Sequence, residues 1–395
     1  MYANILDFGA VGNGVQDDTV AINSAIAYAK TNKKTVLIPE GEFKVSASMD
    51  VTGIDIEGVG KESKIAATTA QFDIFKTEGN TRFSNFYIHG GWNGSTTGLS
   101  GNSIAVDNTT PGGYPYNVRI EDVTIQWSKK NGIYINRGGY SSIKSVKVNA
   151  CGLHGCELLG NSGSDAVTTV SIEGFSVFSD CPQGYGIRIR NGVLISMNTV
   201  ISEYTKGIEL DGNDNRSINI TNYYQENTST GRFLTFTGGG VGVNVTGCFG
   251  AGHSITYNSN FLGVNIIGNT SVAVTTPVNT YNWNIVQNAN NEVTVSSLRT
   301  LLGIKGMNAS GSSPAHVLDT APLSGLSNNI LELKNNNVTK ATINAEGGLT
   351  MAAGTWNGGH LVLGTRHIWI DSTGALRTKS SAPTSPTDGN LIVIQ

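Results

Sequence analysis

The sequence predicts an all-β protein whose main part is a right-handed parallel β-helix, a single-chain solenoid of stacked turns. A phrase of glycine followed by alternating apolar residues returns along the chain, and successive copies begin 21 to 31 residues apart. Internal repeats of roughly 20–50 residues are typical of solenoids. A second alternating phrase precedes each glycine, and no helical pattern separates the two, which argues against a βαβ fold. The glycine phrases are Gly132–Ile135, Gly155–Leu158, Gly186–Ile189 and Gly207–Leu210, and the preceding phrases include Val118–Trp127 and Arg216–Glu226.

The composition supports this fold and narrows the function. The 395 residues include 50 glycines but only 9 prolines, and 14% of them are charged, as in β-structure with many tight turns. Because the net charge is −3 and no basic block is present, a nucleic-acid partner is not expected. No apolar run reaches the roughly 18 residues of a membrane span, so membrane insertion is not expected either. An antiparallel sandwich or a propeller is the alternative architecture, but a sandwich does not require the same phrase at the same phase of successive units.

Residues 1–48 are predicted to cap the β-helix at its N-terminal end. An amphipathic helix is expected within Asp17–Asn32, with Asp17 or Asp18 as its N-cap, and it would cover the unpaired backbone of the first turn. The segment Thr35–Val45 is then predicted to form the first pair of strands. The apolar stripe of the helix consists of Ala21, Ile22, Ala25, Ile26 and Ala29.

Three further segments follow the cap. Residues 49–297 form the predicted β-helix, residues 298–325 are predicted to be a linker, and residues 326–395 alternate around turn signals as an antiparallel β module. The apolar end Leu391–Ile394 would be an aggregation hazard on a monomer, so we expect it to pair with other subunits. The chain's 4 cysteines show no metal-ligand spacing and are too few for a disulfide framework, so small buried side chains are predicted. These are Cys151, Cys156, Cys181 and Cys248.

The variable residues of the glycine phrases form the first candidate site. Stacking the phrases places Tyr134, Glu157, Arg188 and Glu209 in one outward column. Glu157 and Glu209 would then be two turns apart, roughly 9–10 Å between Cα atoms, which side-chain rotation could bring to the carboxylate spacing of inverting glycosidases. Arg188 would lie between them and could hold both carboxylates or bind an acidic sugar. The alternative is a solvated Glu–Arg–Glu ladder that relieves repulsion between like charges.

A second acidic column competes with the first. Glu203 and Glu226 fall near the same corner of successive turns, which would place them about 5 Å apart, close to the geometry of retaining glycosidases. Asp180 lies near the equivalent corner. Tyr204, Tyr223 and Tyr224 lie alongside this column and could stack on sugar rings. The alternative is that these carboxylates accept hydrogen bonds from turn amides.

Further candidates for substrate binding surround the two columns. Trp127 is a candidate sugar platform, Tyr185 precedes the phrase that contains Arg188, and His154 could serve as a base or as a structural corner residue. Asp211 and Asp214 are carboxylates of the type that bind Ca²⁺, but their sequence is more typical of a turn. No metal and no cofactor are therefore predicted.

Both ends of the chain resemble known families. The segments Asn4–Ile26 and Val36–Phe43, "NILDFGAVGNGVQDDTVAINSAI" and "VLIPEGEF", resemble the opening of the pectate-lyase-like β-helix superfamily. The ending His360–Gly389 resembles the C-terminal module of bacteriophage tailspikes that degrade capsule or O-antigen. This resemblance implies a homotrimeric tailspike of the virion tail that binds, and usually cleaves, a bacterial surface polysaccharide outside the host cell. It also implies attachment to the phage tail through an N-terminal region that the given sequence lacks.

Three functions remain open on these grounds. The interpretation we favour is an endo-acting polysaccharide depolymerase that hydrolyses its substrate with a carboxylate pair. A polysaccharide lyase working by β-elimination on the same fold is one alternative, and a non-catalytic receptor-binding tail fibre is the other. A purely structural β-helix without affinity for saccharides is the remaining interpretation. The fibre needs aromatic and polar groups but no acid pair.

Overall fold

A computed structural model describes most of the first 294 residues and parts of the remainder. The described residues are 2–275 except 70, 96, 108–114, 179–180, 182, 227–231 and 258–260, then 284–286 and 293–294. Beyond them the structure describes 329–335, 338–344, 349–351, 361–363, 366–370, 375–381, 387 and 389–391. The chain divides into two compact units, Met1–Gly306 and Met307–Gln395. The predicted linker, 298–325, lies outside the described residues.

The first unit is the predicted parallel β-helix. In chain order its early strands are β1 (Tyr2–Asn4), β2 (Asn13–Asp17), β3 (Thr35–Ile38), β4 (Gly41–Val45), β5 (Met49–Asp50), β6 (Ile56–Gly58), β7 (Ser63–Ala67), β8 (Phe75–Thr77), β9 (Thr81–Ser84), β10 (Tyr87–His89) and β11 (Ile104–Val106). The middle turns contain β12 (Val118–Glu121), β13 (Thr124–Ser128), β14 (Ile133–Asn136), β15 (Gly139–Lys144), β16 (Lys147–Cys151), β17 (Cys156–Leu159), β18 (Val167–Phe178) and β19 (Ile187–Arg190). The later turns contain β20 (Gly192–Glu203), β21 (Ile208–Asp211), β22 (Asn215–Glu226), β23 (Arg232–Phe236), β24 (Gly240–Thr246), β25 (Phe249–Tyr257), β26 (Phe261–Ile267), β27 (Thr270–Thr275), β28 (Asn284–Val286) and β29 (Val293–Thr294).

Each strand pairs in parallel with the equivalent strand of the next turn, so the turns stack as three sheets. Sheet 1 contains β3, β6, β9, β12 and β15, and sheet 2 contains β4, β7, β10, β13 and β16. Sheet 3 contains β5, β8, β11, β14, β17, β19, β21 and β23. In the turns of β18, β20 and β22 one long strand runs through sheets 1 and 2: β18 pairs with both β15 and β16, and β22 pairs with both β24 and β25.

The core consists of side chains that repeat at the same inward position of every turn. In sheet 3 one such stack is Ile133, Cys156, Ile187, Ile208 and Leu234, each directly paired with the next. All five are at most 1% exposed. Strands alternate between inward and outward residues, so a stack of this kind on one face leaves an equally regular stack of variable residues on the other. The candidate site residues of sheet 3 occupy that second stack.

The N-terminal segment forms a cap in which a helix packs against the first strands. The α-helix α1 spans Thr19–Asn32, after a short 3-10 helix at Ile5–Phe8, and a second 3-10 helix lies at Gly163–Asp165. Asp18 is the N-cap residue, but its carboxylate accepts hydrogen bonds from the backbone N–H of Val11 and Gly12, while Asp17 accepts from Thr19. The helix buries Ile22, Ala25, Ile26 and Ala29 of the predicted stripe.

The prediction that Thr35–Val45 supplies the first strands was wrong. β1 and β2 precede this segment and pair in parallel with β3 and β4, so Tyr2–Asn4 already belong to the β-helix. The two strands are short and separated by the 3-10 helix, so the sequence shows no clear alternation of apolar and polar residues there.

The cysteines are buried as predicted, but two of them form a disulfide. Cys151 at the end of β16 is bonded to Cys181, across a Cα–Cα distance of 5.0 Å and a sequence separation of 30 residues. Cys156 and Cys248 are free and buried. The separation is close to one turn, so the bond connects the same corner of two successive turns.

The second unit contains two small antiparallel sheets. One consists of β30 (Asn329–Asn335), β31 (Val338–Asn344) and β32 (Leu349–Met351). The other consists of β33 (Leu361–Leu363), β34 (Arg366–Ile370), β35 (Leu376–Lys379) and β36 (Asn390–Leu391). Of the predicted apolar end, Leu391 is in β36, and residues 392–395 lie outside the described residues. Among the described residues, no helix is long and apolar enough to cross a membrane.

Candidate active site

The first predicted column exists in the register expected from the sequence. Tyr134 pairs with Glu157, Glu157 with Arg188 and Arg188 with Glu209, on β14, β17, β19 and β21 of sheet 3. The column continues to Thr235 on β23. The alternation of each short strand therefore places these four side chains on the same face of one sheet.

Arg188 is the centre of this column and contacts three carboxylates. Its Nη1 donates to Glu157 at 3.1 Å and its Nη2 to Asp211 at 2.6 Å. Its Nε lies 2.9 Å from Glu209 Oε2, an ion-pair distance, although that N–H is not directed at an acceptor and makes no hydrogen bond. Asp211 also lies 3.5 Å from Arg190. In these contacts two arginines bridge three carboxylates, and together they form a ladder of ion pairs on the face of the sheet.

The two glutamates of the ladder are more covered than the sequence suggested. The side chains of Glu157 and Glu209 are only 6% and 9% exposed, and that of Arg188 is 25% exposed. The second oxygen of Glu157 accepts from Asn131 Nδ2 at 2.8 Å, and the second oxygen of Glu209 accepts from Thr237 Oγ1 at 3.1 Å. Both carboxylates are therefore fully engaged, and the expectation of a solvated outward column was wrong on this point. Their catalytic role stays a prediction.

His154 is buried beside this ladder. It is 4% exposed, and its Nδ1 accepts a hydrogen bond from the backbone N–H of Tyr185 at 3.0 Å. Its ring stacks on the Tyr185 ring with centroids 5.9 Å apart. Burial, reinforced by the nearby Arg188 charge, lowers the pKa of His154 to about 3, so the imidazole is neutral near pH 7. These contacts favour the corner role over that of a base.

The hydroxyl groups of Tyr134 and Tyr185 lie on the same side of the β-helix. Burial, followed by the charges of Asp107 and Glu157, raises the pKa of Tyr134 to about 12. Burial, followed by the charge of Glu209 and a hydrogen bond with it, raises the pKa of Tyr185. Both phenols therefore stay protonated near neutral pH and can donate hydrogen bonds to a sugar.

The second acidic column is also in the expected register, and it is more accessible. Glu203 pairs with Glu226 on adjacent turns at the ends of β20 and β22. Both side chains are half-buried, and the Tyr224 hydroxyl donates to Glu226 Oε2 at 2.5 Å. This hydrogen bond raises the pKa of Tyr224. Tyr204, beside Glu203, is 53% exposed.

The predictions for Tyr223 and Asp180, which also concern this column, were not confirmed. Tyr223, which the sequence placed beside Tyr224 as a possible sugar platform, is 1% exposed and packs on Phe233 at a ring distance of 4.7 Å. The left-handed backbone of Asn222 shifts the alternation by one residue, so Tyr223 points inward. Asp180 lies outside the described residues.

Trp127 lies at the same corner of an earlier turn. It is half-buried, and its ring is 5.9 Å from that of Trp92. Its φ is 58° and that of Tyr204 is 55°, a left-handed conformation that is uncommon for large side chains. Trp127 follows Gln126 and Tyr204 follows Glu203, and the strand pairing places Gln126 three turns before Glu203 in the same column. Tyr204 is therefore next to the acidic pair, and Trp127 lies further along the same corner.

Some residues of the site could not be recognised in the sequence. Asn131 binds Glu157 and also accepts from the backbone N–H of His154, and Thr237 binds Glu209. Asp211, predicted to form a turn, is an ion-pair partner of Arg188. Asp214 pairs with Arg216 at 2.5 Å. Among the described residues, no group of three or more His, Cys, Asp or Glu side chains could hold a metal ion.

Comparison with known proteins identifies the family. Residues 2–232 match the family described as rhamnogalacturonase A/epimerase, pectate lyase-like. The chain belongs to this pectate-lyase-like family. A second match covers residues 316–394, which are similar to the capsule depolymerase family. The first match covers the β-helix as far as the start of β23, and the second covers the C-terminal segment.

The curated relatives cited below match only parts of the chain. Mannuronan C5-epimerase AlgE5 of Azotobacter vinelandii is 28% identical over 130 residues, which are 32% of this chain and 11% of that protein. AlgE6 of the same organism is 52% identical over 46 residues, 11% of this chain and 5% of that protein. The chain thus spans about a tenth or less of these curated relatives. The Dettilon tailspike protein superposes with a TM-score of 0.51 at 14% identity, covering 75% of this chain and 68% of the other, which shows a shared fold.

Proposed function

We propose that this protein binds and cleaves a bacterial surface polysaccharide by hydrolysis. The observation that carries the proposal is the in-register pair of Glu203 and Glu226, which are half-buried and lie beside the exposed Tyr204. The match of residues 316–394 to the capsule depolymerase family supports the substrate class. The family of the β-helix supports an enzyme that modifies polysaccharides.

The spacing of this pair fits a retaining mechanism. Residues paired on adjacent strands are about 4.8 Å apart, and retaining glycosidases hold their two carboxyl groups about 5–5.5 Å apart. In such a mechanism one carboxylate attacks the anomeric carbon, and the other protonates the leaving oxygen and then activates a water molecule. Both roles require a carboxyl group that a sugar can reach, which the half-buried pair offers better than Glu157 and Glu209 do.

The environment of each carboxylate suggests a division of roles. The Glu226 carboxylate accepts a hydrogen bond from the Tyr224 hydroxyl group. This bond fixes the orientation of the carboxylate, as a nucleophile requires. Glu203 makes no side-chain hydrogen bond to any described residue, so it is free to approach the leaving oxygen as the acid. Trp127 and Tyr204 would support sugar rings along the corner, and the hydroxyls of Tyr134 and Tyr185 would bind sugars that continue over sheet 3.

A lyase is the second candidate because of the groups around Arg188. β-Elimination and epimerisation both begin with removal of a proton next to a carboxyl group, and the curated relatives are named C5-epimerases. Tyr185, whose hydroxyl interacts with Glu209 and Arg232, is the candidate proton-transfer group. Arg188 could neutralise the carboxylate of a sugar only after breaking its ion pair with Glu157 or Glu209. The lyase is therefore the weaker of the two candidates.

Mass spectrometry of products from purified capsular and O-antigen polysaccharides tests the proposal. Products one water heavier per cut mean hydrolysis, whereas unsaturated ends mean elimination. Glu203→Gln and Glu226→Gln should each lower the rate by about 10²–10⁴ if they carry general acid–base and nucleophilic catalysis. Glu173→Gln is the matched control, because Glu173 is an exposed carboxylate on the sheet 1 part of β18. Wild-type rates for both pair variants refute the assignment, and binding without products favours a receptor-binding fibre.

We also infer that the protein works as a homotrimer on a phage tail, outside the host cell. The support is the resemblance of the C-terminal segment to tailspike modules and its capsule depolymerase match. Light scattering of the full chain should give three times the mass of 41.6 kDa, and a monomer would contradict the inference. Deletion of residues 391–395 should weaken the assembly if the apolar end pairs between subunits.

A further inference from the structure

A hollow on sheet 1 is separate from both acidic columns. It has a volume of about 400 Å³ counting its open mouth. It lies where β9 and β12 begin, in turns that precede those of Glu203 and Glu226. Its lining consists of Asp55, Asn80, Thr81, Arg82, Asn117 and Arg119.

Two arginines on adjacent turns give this hollow its chemistry. Arg82 pairs with Arg119 in the β9–β12 register, so the two side chains leave neighbouring strands at the same position. Like charges directly opposite each other on a sheet destabilise it. Arg82 is held by Glu121, with Nε 2.9 Å from Oε2. Arg119 is exposed and makes no ion pair or side-chain hydrogen bond with any described residue, so its guanidinium group is available to bind an anion.

The other polar groups suit hydroxyl groups rather than a second anion. Asn80 and Asn117 have left-handed backbones, with φ of 51° and 55°, and offer amide donors and acceptors on successive turns. The Asp55 carboxylate would repel a small, highly charged anion but can accept a hydrogen bond from a hydroxyl group. Its Oδ1 also accepts the backbone N–H of Arg82 at 3.0 Å, which fixes its position at the hollow.

Exposed tyrosines at the adjacent corner complete the surface. Tyr116, next to Asn117, is 48% exposed, and Tyr140 is 69% exposed. Tyr116 forms a parallel bridge with Gly139, so the two aromatic side chains belong to successive turns. Exposed aromatic rings beside hydrogen-bonding groups are suited to the apolar faces of sugars.

We propose that this hollow is a saccharide-binding site for a sugar that carries a carboxylate. Arg119 and Arg82 would bind the carboxylate, and the Asn80, Asn117 and Asp55 side chains would bind hydroxyl groups. This corner joins sheet 3 to sheet 1, whereas Glu203 and Tyr204 lie at the corner between sheets 2 and 3. The site would therefore hold the polymer away from the point of cleavage, and its binding does not depend on the catalytic pair.

Ligand-observed NMR titration of the full chain tests this site with three probes: methyl β-glucuronide, methyl β-glucoside and inorganic phosphate. We expect the glucuronide to bind and the neutral glucoside to bind at least tenfold more weakly, a difference of ~1.4 kcal/mol or more. Arg119→Gln should weaken glucuronide binding by about tenfold, because a charge-assisted contact is lost. Lys147→Gln is the matched control, because it removes one exposed positive charge from sheet 2.

Several results would overturn the proposal. The proposal fails if the glucuronide does not bind, or if the glucoside binds with the same affinity as the glucuronide. It also fails if the Arg119→Gln protein binds the glucuronide as tightly as the unchanged protein does. Phosphate binding as tight as that of the glucuronide would indicate a simple anion site. Glu203→Gln should leave glucuronide binding unchanged. Failure of this site is thus distinguished from failure of the proposed cleavage, which is read from polysaccharide products alone.

Discussion

Replacement of Arg188 by methionine should destabilise the β-helix by about 3–5 kcal/mol, the usual cost of removing one partner from a buried ion pair. The structure allows an independent value. Arg188 donates hydrogen bonds to Glu157 and Asp211, and hydrogen bonds to charged groups contribute about 1.5–3 kcal/mol each, or ~3–6 kcal/mol for two. Because the arginine side chain is 25% exposed, water can partly replace it, so we expect the lower part of this range.

Urea unfolding of the full chain, followed by circular dichroism, measures this loss. Arg190→Met is the matched control, since Arg190 lies two residues further on the same strand, is 48% exposed and makes a single 3.5 Å contact with Asp211. An exposed pair of that kind contributes about 0–1 kcal/mol. A second variant that also carries Glu209→Gln should recover part of the stability, because it removes one uncompensated charge. The reasoning fails if Arg188→Met is no more destabilising than Arg190→Met.

Three further predictions concern His154, Asn131 and the disulfide. His154 has a pKa of about 3 in the folded protein and near 6.5 in the unfolded chain, so its contribution to stability is complete above pH 6.5 and is lost as the pH falls. His154→Asn should therefore make the dependence of unfolding free energy on pH shallower by about 1.4 kcal/mol per pH unit between pH 4 and 6, and equal slopes would contradict this. Asn131→Ala should cost about 1–3 kcal/mol in urea unfolding, because it leaves one oxygen of buried Glu157 without a donor, and an unchanged midpoint would argue against that contact. Replacing Cys151 and Cys181 together by alanine should cost about 3–4 kcal/mol, the loop-closure value for a separation of 30 residues, and a reducing agent should then have no further effect on unfolding.

The sequence was sufficient to predict the β-helix and the register of both acidic columns. The reason is that alternation with a period of two fixes which residues share a face, and a repeated phrase fixes which residues align between turns. Tyr134, Glu157, Arg188 and Glu209 are paired as expected. The disulfide also had a signal, because Cys181 follows Cys151 by 30 residues, close to the distance between the glycines of the same two turns.

The surroundings of the columns could not be predicted in this way. Asn131 and Thr237 reach the glutamates from corners, where loop lengths differ between turns and alternation carries no information. Tyr223 was misplaced because a left-handed residue at Asn222 adds one residue to the outward side of β22. Burial of Glu157 and Glu209 therefore follows from the corners of the β-helix and not from the strands that carry them.

The two acidic columns are suited to different tasks for a physical reason. A carboxylate whose oxygens are both occupied by donors, like that of Glu157, must lose hydrogen bonds before it can touch a sugar, and each lost bond raises the barrier to reaction. Glu203 has no such bonds to described residues, and Glu226 has one, from a tyrosine on its own strand that orients it without covering it. We therefore expect the Arg188 ladder to hold the turns in register and to form a rigid wall. Cleavage would take place at the corner beside that wall, where Trp127 and Tyr204 can hold the sugar rings.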